Sequence, residues 1–224
     1  DGTSFASLLE RISAIPGLAR LKFTTSHPKD IAPEVVTAFG KLPNLCPQLH
    51  LPVQSGSDAV LKAMGRKYTR ERYLETIGEL RRVCPHIALT TDIIVGFPGE
   101  TVQDFEDTLD LMRQVRYESS FSFKYSDRPG VRAENMAFKV PEEEKARRLA
   151  TLQELQDRIT VEALAAQVGA EAEVLVEGPS KMQDSEHVFW RGRDGGGRIV
   201  NFSSPVPNLT GRMVRVHIVD AKKH

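Results

Sequence analysis

Four stretches of the chain gather residues able to act on a ligand: Thr24-Thr25-Ser26-His27; Gln54-Ser55-Gly56-Ser57-Asp58; Thr91-Asp92 running on to Gly96-Phe97-Pro98-Gly99-Glu100-Thr101; and Lys124-Tyr125-Ser126-Asp127-Arg128-Pro129-Gly130. Gln54 carries both a donor and an acceptor, and the small hydroxyls of Ser55 and Ser57 can orient a polar ligand or serve a turn. Gly56, Gly96 and Gly99 lack a Cβ, which suits close backbone approach to a ligand and suits tight turns equally. Asp92 follows two threonines in an apolar run; a carboxylate buried there needs donors or a cation, as part of a polar core network or to hold a ligand. The Gly96 to Gly99 segment has neither the GxGxxG spacing nor the Gly-Lys-Ser/Thr ending of a phosphate loop, which excludes a nucleotide cradle of those kinds. His27 and His50 stand without an HExxH motif, a nucleophile elbow or a close acidic dyad, so no residue is assigned a catalytic role.

The elements that must position these residues follow from periodicity and punctuation. Residues 5–15 have a three- and four-residue apolar spacing after a Thr3 or Ser4 cap and end at Pro16-Gly17, which predicts a helix. Leu18 to Thr25 reads as extended, Pro33 to Leu42 as a second helix, and Leu49 to Val53 as a strand between two prolines. Thr69 caps a helix to Val83; Ile87 to Val95 reads as a strand covered on both faces; Thr101 caps a helix over 102–115; Ser119 to Tyr125 is a further strand. Alternating helices and strands over 5–125 predict repeated βα units with a parallel sheet, whose functional loops sit at the carboxyl ends of the strands. Four strands do not close an eight-stranded barrel, and the uncovered edge suggests that the chain is the later part of something longer.

Glu142 to Val168 repeats its apolar residues close to every 3.6 positions, a long helix that ends the α/β region. Short strand candidates follow at Glu171–Glu177, His187–Trp190, Arg198–Phe202 and Arg212–Val219, separated by glycine- and proline-rich turns, and a small β-barrel is their simplest closure. The expected organisation is an α/β unit over 1–157, a helical connector over 158–168 and a β-rich unit over 169–224. In that last unit Lys181, Arg191, Arg193 and Arg198 interleave with Trp190 and Phe202, a pattern that supplies phosphate contacts and base stacking.

Composition limits the classes further. With 40% hydrophobic and 27% charged residues the chain reads as a soluble globular protein, and 30 basic against 30 acidic side chains give no net charge, so a polyanion site must be a local patch. No membrane span or signal peptide is visible, and two cysteines make neither a disulfide framework nor a complete metal site, which points to a reducing, cytoplasmic compartment.

The phrases Phe23-Thr-Thr-Ser-His-Pro28, Leu49-His-Leu-Pro-Val-Gln-Ser-Gly-Ser57, Leu61-Lys-Ala-Met64, Tyr68-Thr-Arg70, Thr90-Thr-Asp-Ile-Ile-Val-Gly-Phe-Pro-Gly-Glu-Thr101 and Phe121-Ser-Phe-Lys-Tyr-Ser126 together resemble the radical S-adenosylmethionine tRNA methylthiotransferases. The β-rich end, including Val176-Glu-Gly-Pro-Ser180, resembles that family's TRAM RNA-binding domain. The resemblance implies later βα units of a partial TIM barrel followed by a small all-β barrel. It implies S-adenosylmethionine as cofactor, arranged by Gln54, Ser55 and Ser57 and walled by Ile94, Gly96 and Phe97, with Asp92 and Tyr125 as polar contributors. Arg128 would approach tRNA, and two [4Fe–4S] clusters would be held by an N-terminal part of the enzyme outside this chain, since Cys46 and Cys84 match no cluster ligand. The implied activity is addition of a 2-methylthio group to N6-dimethylallyladenosine beside the anticodon, fed by an electron donor, with this stretch inactive alone. An enzyme acting on N6-threonylcarbamoyladenosine, and a noncatalytic RNA-binding module, are the alternatives.

Overall fold

The computed structural model describes residues 4–24, 28–181 and 188–223. Helix α1 (Phe5–Ser13) starts where the Ser4 hydroxyl accepts the Ser7 N–H, and α2 (Pro33–Lys41) starts on a proline, whose missing N–H costs nothing in a first turn. The short strand β1 (Gln48–His50) leads into α3 (Asp58–Ala63), and α4 (Arg70–Val83) is capped by Thr69. Strand β2 (Ala88–Val95) alternates full burial of Leu89, Thr91, Ile93 and Val95 with partial exposure of Thr90, Asp92 and Ile94. Helix α5 (Val102–Val115) opens with a capping box between Thr101 and Asp104, β3 (Ser119–Lys124) follows, and α6 (Glu142–Ala165) is the longest helix described.

Strands β1, β2 and β3 pair in parallel in that order, with Leu49 opposite Leu89, Asp92 opposite Phe121 and Ile94 opposite Phe123. One face of this sheet lies in the main core with α2, α4, α5 and α6, where Tyr73, Leu80, Leu111, Tyr117 and Leu152 are almost inaccessible. The other face leaves Phe121 at 59% and Phe123 at 55% exposure. Four antiparallel strands, β4 (Glu171–Pro179), β5 (Phe189–Arg193), β6 (Ile199–Ser203) and β7 (Met213–His217), form a second sheet in the order β6-β5-β4-β7 around Val176, Trp190 and Leu209.

The expected barrels are corrected here. Both sheets are open: the first has three strands rather than four, and among the described residues β6 and β7 do not pair, so the second sheet does not close on itself. The missing first strand has a physical cause. Leu21 bridges Leu45, accepting the Cys46 N–H at 2.8 Å and donating to Asn44 at 2.7 Å, but the next donor and acceptor of the partner chain bond each other, the Gln48 N–H donating to the Cys46 carbonyl at 2.7 Å, so the ladder stops. Leu18 to Thr24 therefore runs beside the sheet edge as irregular chain; Thr25 lies outside the described residues. Helix α3 is an addition to the expected order. Among the described residues no helix is long and apolar enough to cross a membrane.

Candidate functional site

A cleft of about 660 Å³ opens at the carboxyl ends of the parallel strands, lined among others by Gln54, Met64, Ile94, Phe97, Tyr125 and Arg128. Its position is where α/β sheets bind ligands, and its size suits a nucleoside-containing cofactor. Gln54 enters it from a strained backbone: φ is 70°, in the left-handed region that non-glycine residues seldom adopt. The strain is held by the neighbouring strand, since the Gln54 N–H donates to the Asp92 carbonyl at 2.8 Å and the Gln54 carbonyl accepts the Ile94 N–H at 2.9 Å. Phe97 and Tyr125 meet edge to face with centroids 5.1 Å apart. The Tyr125 hydroxyl donates to Asp127 at 2.8 Å, and desolvation, followed by Asp127, pushes its pKa up to about 12.

The remaining cofactor candidates have other partners. Ser55 is fully buried, its Oγ 3.3 Å from the Thr108 hydroxyl of α5 and accepting the Ser57 N–H. Ser57 caps α3, accepting the Val60 N–H, and donates to Asp104 at 2.5 Å. Gly56 donates to the Thr108 hydroxyl, and a Cβ on it would lie 2.5 Å from the Asp107 carbonyl oxygen, so glycine here allows α5 to approach. The Ser-Gly-Ser segment thus docks the loop onto α5 behind the cleft. Asp92 stands on the exposed sheet face, 3.5 Å from His50 Nε2, with the other His50 ring nitrogen 2.9 Å from Thr90 Oγ1. Gly96 has φ +74°, and the stem of Lys145 covers it: a Cβ would meet Lys145 Cγ at 2.4 Å. Ser26 and His27 lie outside the described residues.

Sequence reasoning missed the clasp that holds this turn. Glu100 Oε2 accepts the Gly96 N–H at 2.6 Å and an Arg148 N–H at 2.7 Å, with the two side chains 1% and 5% exposed. Burial raises the Glu100 pKa above the carboxylate norm, against the pull of Arg148 and the Gly96 N–H. Arg148 also donates to Glu144 and to the Glu100 carbonyl, and Lys145 Nζ donates to the Tyr125 carbonyl at 3.1 Å. One turn of α6 therefore fixes the loops after β2 and after β3. The available signal was an acidic residue directly before the Thr101 cap, facing an arginine in a helix that begins Glu-Glu-Glu.

The RNA-contact candidates divide as well. Lys181 is exposed, Phe202 packs against the second core, and Arg191 lies 4.0 Å from Glu177. Arg193 donates to Glu177 at 2.8 Å and to the Gly197 carbonyl, while Arg198 makes two bonds to Glu118, at 2.6 and 2.9 Å, and one to Asp194.

Among the described residues no group of three or more His, Cys, Asp or Glu side chains is arranged to hold a metal ion. Burial pushes the thiols of Cys46 and Cys84 up, away from the thiolate form that binds metals. The residues present therefore do not fit an iron–sulfur cluster. They do fit an adenosine-bearing cofactor, with an apolar wall at Ile94 and Phe97 and an amide at Gln54.

A parallel α/β sheet with a ligand cleft at its carboxyl ends defines the class, and the family profile described as the radical SAM superfamily matches residues 1–112, half of the 224 residues; the chain belongs to that superfamily. Within it, the chain is 53% identical over its whole length to a tRNA-2-methylthio-N(6)-dimethylallyladenosine synthase of Nitratidesulfovibrio vulgaris strain Hildenborough, covering 50% of that protein. It is 51% identical to the synthase of the same name from Oleidesulfovibrio alaskensis, covering 52% of it. The chain thus spans about half the length of these relatives. A solved structure of the archaeal Methanocaldococcus infernus Elp3 with an N-terminal deletion aligns at a TM-score of 0.48 and 13% identity, over 79% of this chain and 54% of that one.

Proposed function

We propose that this chain is part of a tRNA methylthiotransferase that adds a 2-methylthio group to N6-dimethylallyladenosine near the anticodon. The observation that carries this reading is the 53% identity over the whole chain to a synthase of that name. In the complete enzyme, S-adenosylmethionine with a reduced [4Fe–4S] cluster would supply the radical chemistry, and two such clusters would be held by ligands outside this chain and fed by a reducing donor. The residues here bind and orient. Gln54 would hold the polar part of the cofactor with its amide, Ile94 and Phe97 would wall its adenine, Tyr125 packs edge to face on Phe97, and Arg128 at the rim would meet RNA phosphates. Gly96, Ser55 and Ser57 act by shaping the loops that carry those groups, and Asp92 contributes from the open sheet face.

Residues 1–157 form the cofactor-binding unit, 158–168 the connector, and 169–224 the RNA-holding unit, in a cytoplasmic enzyme. The complete protein, with clusters reconstituted and a reductant added, should form 5′-deoxyadenosine and 2-methylthio-N6-dimethylallyladenosine in tRNA, while the 224-residue chain forms neither, because its two cysteines cannot complete a cluster site. Nucleoside analysis checks both halves: a methylthiolated threonylcarbamoyladenosine product would assign the other substrate, and turnover by the isolated chain would remove the division of labour.

A further inference from the structure

The turn between β5 and β6 reaches back to the amino end of the parallel sheet. Arg198, in that turn, places two guanidinium N–H groups on the carboxylate of Glu118, the residue before β3, and both side chains are only 17% exposed. The same guanidinium holds Asp194 at 3.1 Å, so the turn is braced within itself as it docks. Glu118 is fixed from two sides: its N–H donates to the Leu89 carbonyl, and its carbonyl accepts the Thr160 hydroxyl of α6. Packing agrees with the charges, since a Cβ on Gly197 would lie 2.3 Å from Gln48 Oε1 and one on Gly195 would lie 3.2 Å from Pro47. On the far side Arg20 donates to the carbonyls of Glu173, Arg193 and Asp194. Charged groups and backbone carbonyls of the two units meet at this seam, and among the described residues their two apolar cores share no side chain.

We propose that Arg198 is a positioning residue: paired with Glu118, it pins the antiparallel sheet to the parallel one and so sets the direction in which the second sheet presents RNA to the cleft. This rests on the reading of the second sheet as the RNA-holding unit. A bidentate pair with both partners partly desolvated has its donors committed, so Arg198 has little left for a phosphate, whereas Lys181, Arg212 and Arg215 are exposed and fit that task.

The two roles make opposite predictions for Glu118. If Arg198 bound phosphate directly, removing the opposing carboxylate would free it, and Glu118→Gln would leave tRNA affinity unchanged or raise it. As a pin, Glu118→Gln and Arg198→Gln each lower affinity of this chain for an unmodified tRNA transcript by about fivefold, and the double variant loses little more than either single one because both remove the same contact. X-ray scattering of the same proteins reads the docking itself: each single variant should increase the radius of gyration and the double variant should increase it little further. Thermal unfolding monitored at Trp190 identifies any variant that has lost its fold, in which case the Gln variant of the other partner decides. Weakened binding in Arg198→Gln alone, or no change in either variant, overturns the proposal. A wild-type chain that does not bind tRNA defeats the reading of the second sheet instead, and the scattering comparison then still decides whether the pin exists.

Discussion

Gly96 shows how one position serves both the turn and the cleft. Its φ of +74° and the 2.4 Å gap to the stem of Lys145 leave no room for a Cβ in a conformation that an L side chain also resists. Gly96→Ala should therefore cost about 1–3 kcal/mol of stability, read as a lower urea midpoint with an unchanged slope. Gly99, also at positive φ but with nothing within 4 Å of its Cβ position, should pay the backbone penalty alone and show the smaller loss. The sequence marked both glycines as turn or ligand-approach residues without separating the two uses, because spacing says nothing of what packs above a turn. For Ser55-Gly56-Ser57 the same ambiguity falls the other way: small polar residues beside Gln54 suit a ligand, yet here they suit the close passage of α5.

At the scale of elements, α5 and α6 pack on the same face of the sheet and hold different loops of the cleft. On α5, partial burial penalises the Asp104 charge, but hydrogen bonds from Ser57 and Thr101 outweigh it and keep the pKa below its ordinary 3.8. A carboxylate whose folded pKa is depressed contributes stability that is present above its unfolded pKa and is lost as pH falls through the folded value. Asp104→Asn should flatten the decline in the urea midpoint below about pH 4 while lowering the midpoint near neutrality. On α6, removing Arg148 leaves Glu100 buried without its cation. Arg148→Met should destabilise by about 3–5 kcal/mol, and adding Glu100→Gln should return part of that, as measured in a double-mutant cycle. Helices whose boundaries carry a cap were legible: Thr69 and Thr101 mark the starts of α4 and α5 as expected. Helix α3 was not, because its cap, Ser57, sits in a segment whose polar residues also suit ligand contact and it spans only six residues. The Leu18 to Thr24 strand failed because after one bridge the partner chain turns its Gln48 N–H onto its own Cys46 carbonyl, a feature of the neighbour that the segment's own sequence does not carry.

For the whole molecule, the absence of net charge makes RNA affinity a question of which cations remain uncommitted. Thirty basic side chains face thirty acidic ones, and in the second sheet Arg193 is held by Glu177 and Arg198 by Glu118 and Asp194. The interleaved arginines and aromatics read in the sequence as a pattern for RNA contact; the pairing of individual arginines was not legible there, since Glu118 stands far away in sequence and is brought near only by docking of the two sheets. Each phosphate neutralised releases counterions and adds to the salt dependence of binding. If the exposed Lys181, Arg212, Arg215 and Arg128 are the cations that meet RNA, the chain should contact about four phosphates, and log affinity for tRNA should fall with log salt at a slope of about −3 to −4. Titrations between low and physiological salt measure that slope directly. Losing Arg212 or Arg215 should reduce its magnitude by about one each, and a slope that these variants leave untouched would move the RNA to a different face of the molecule.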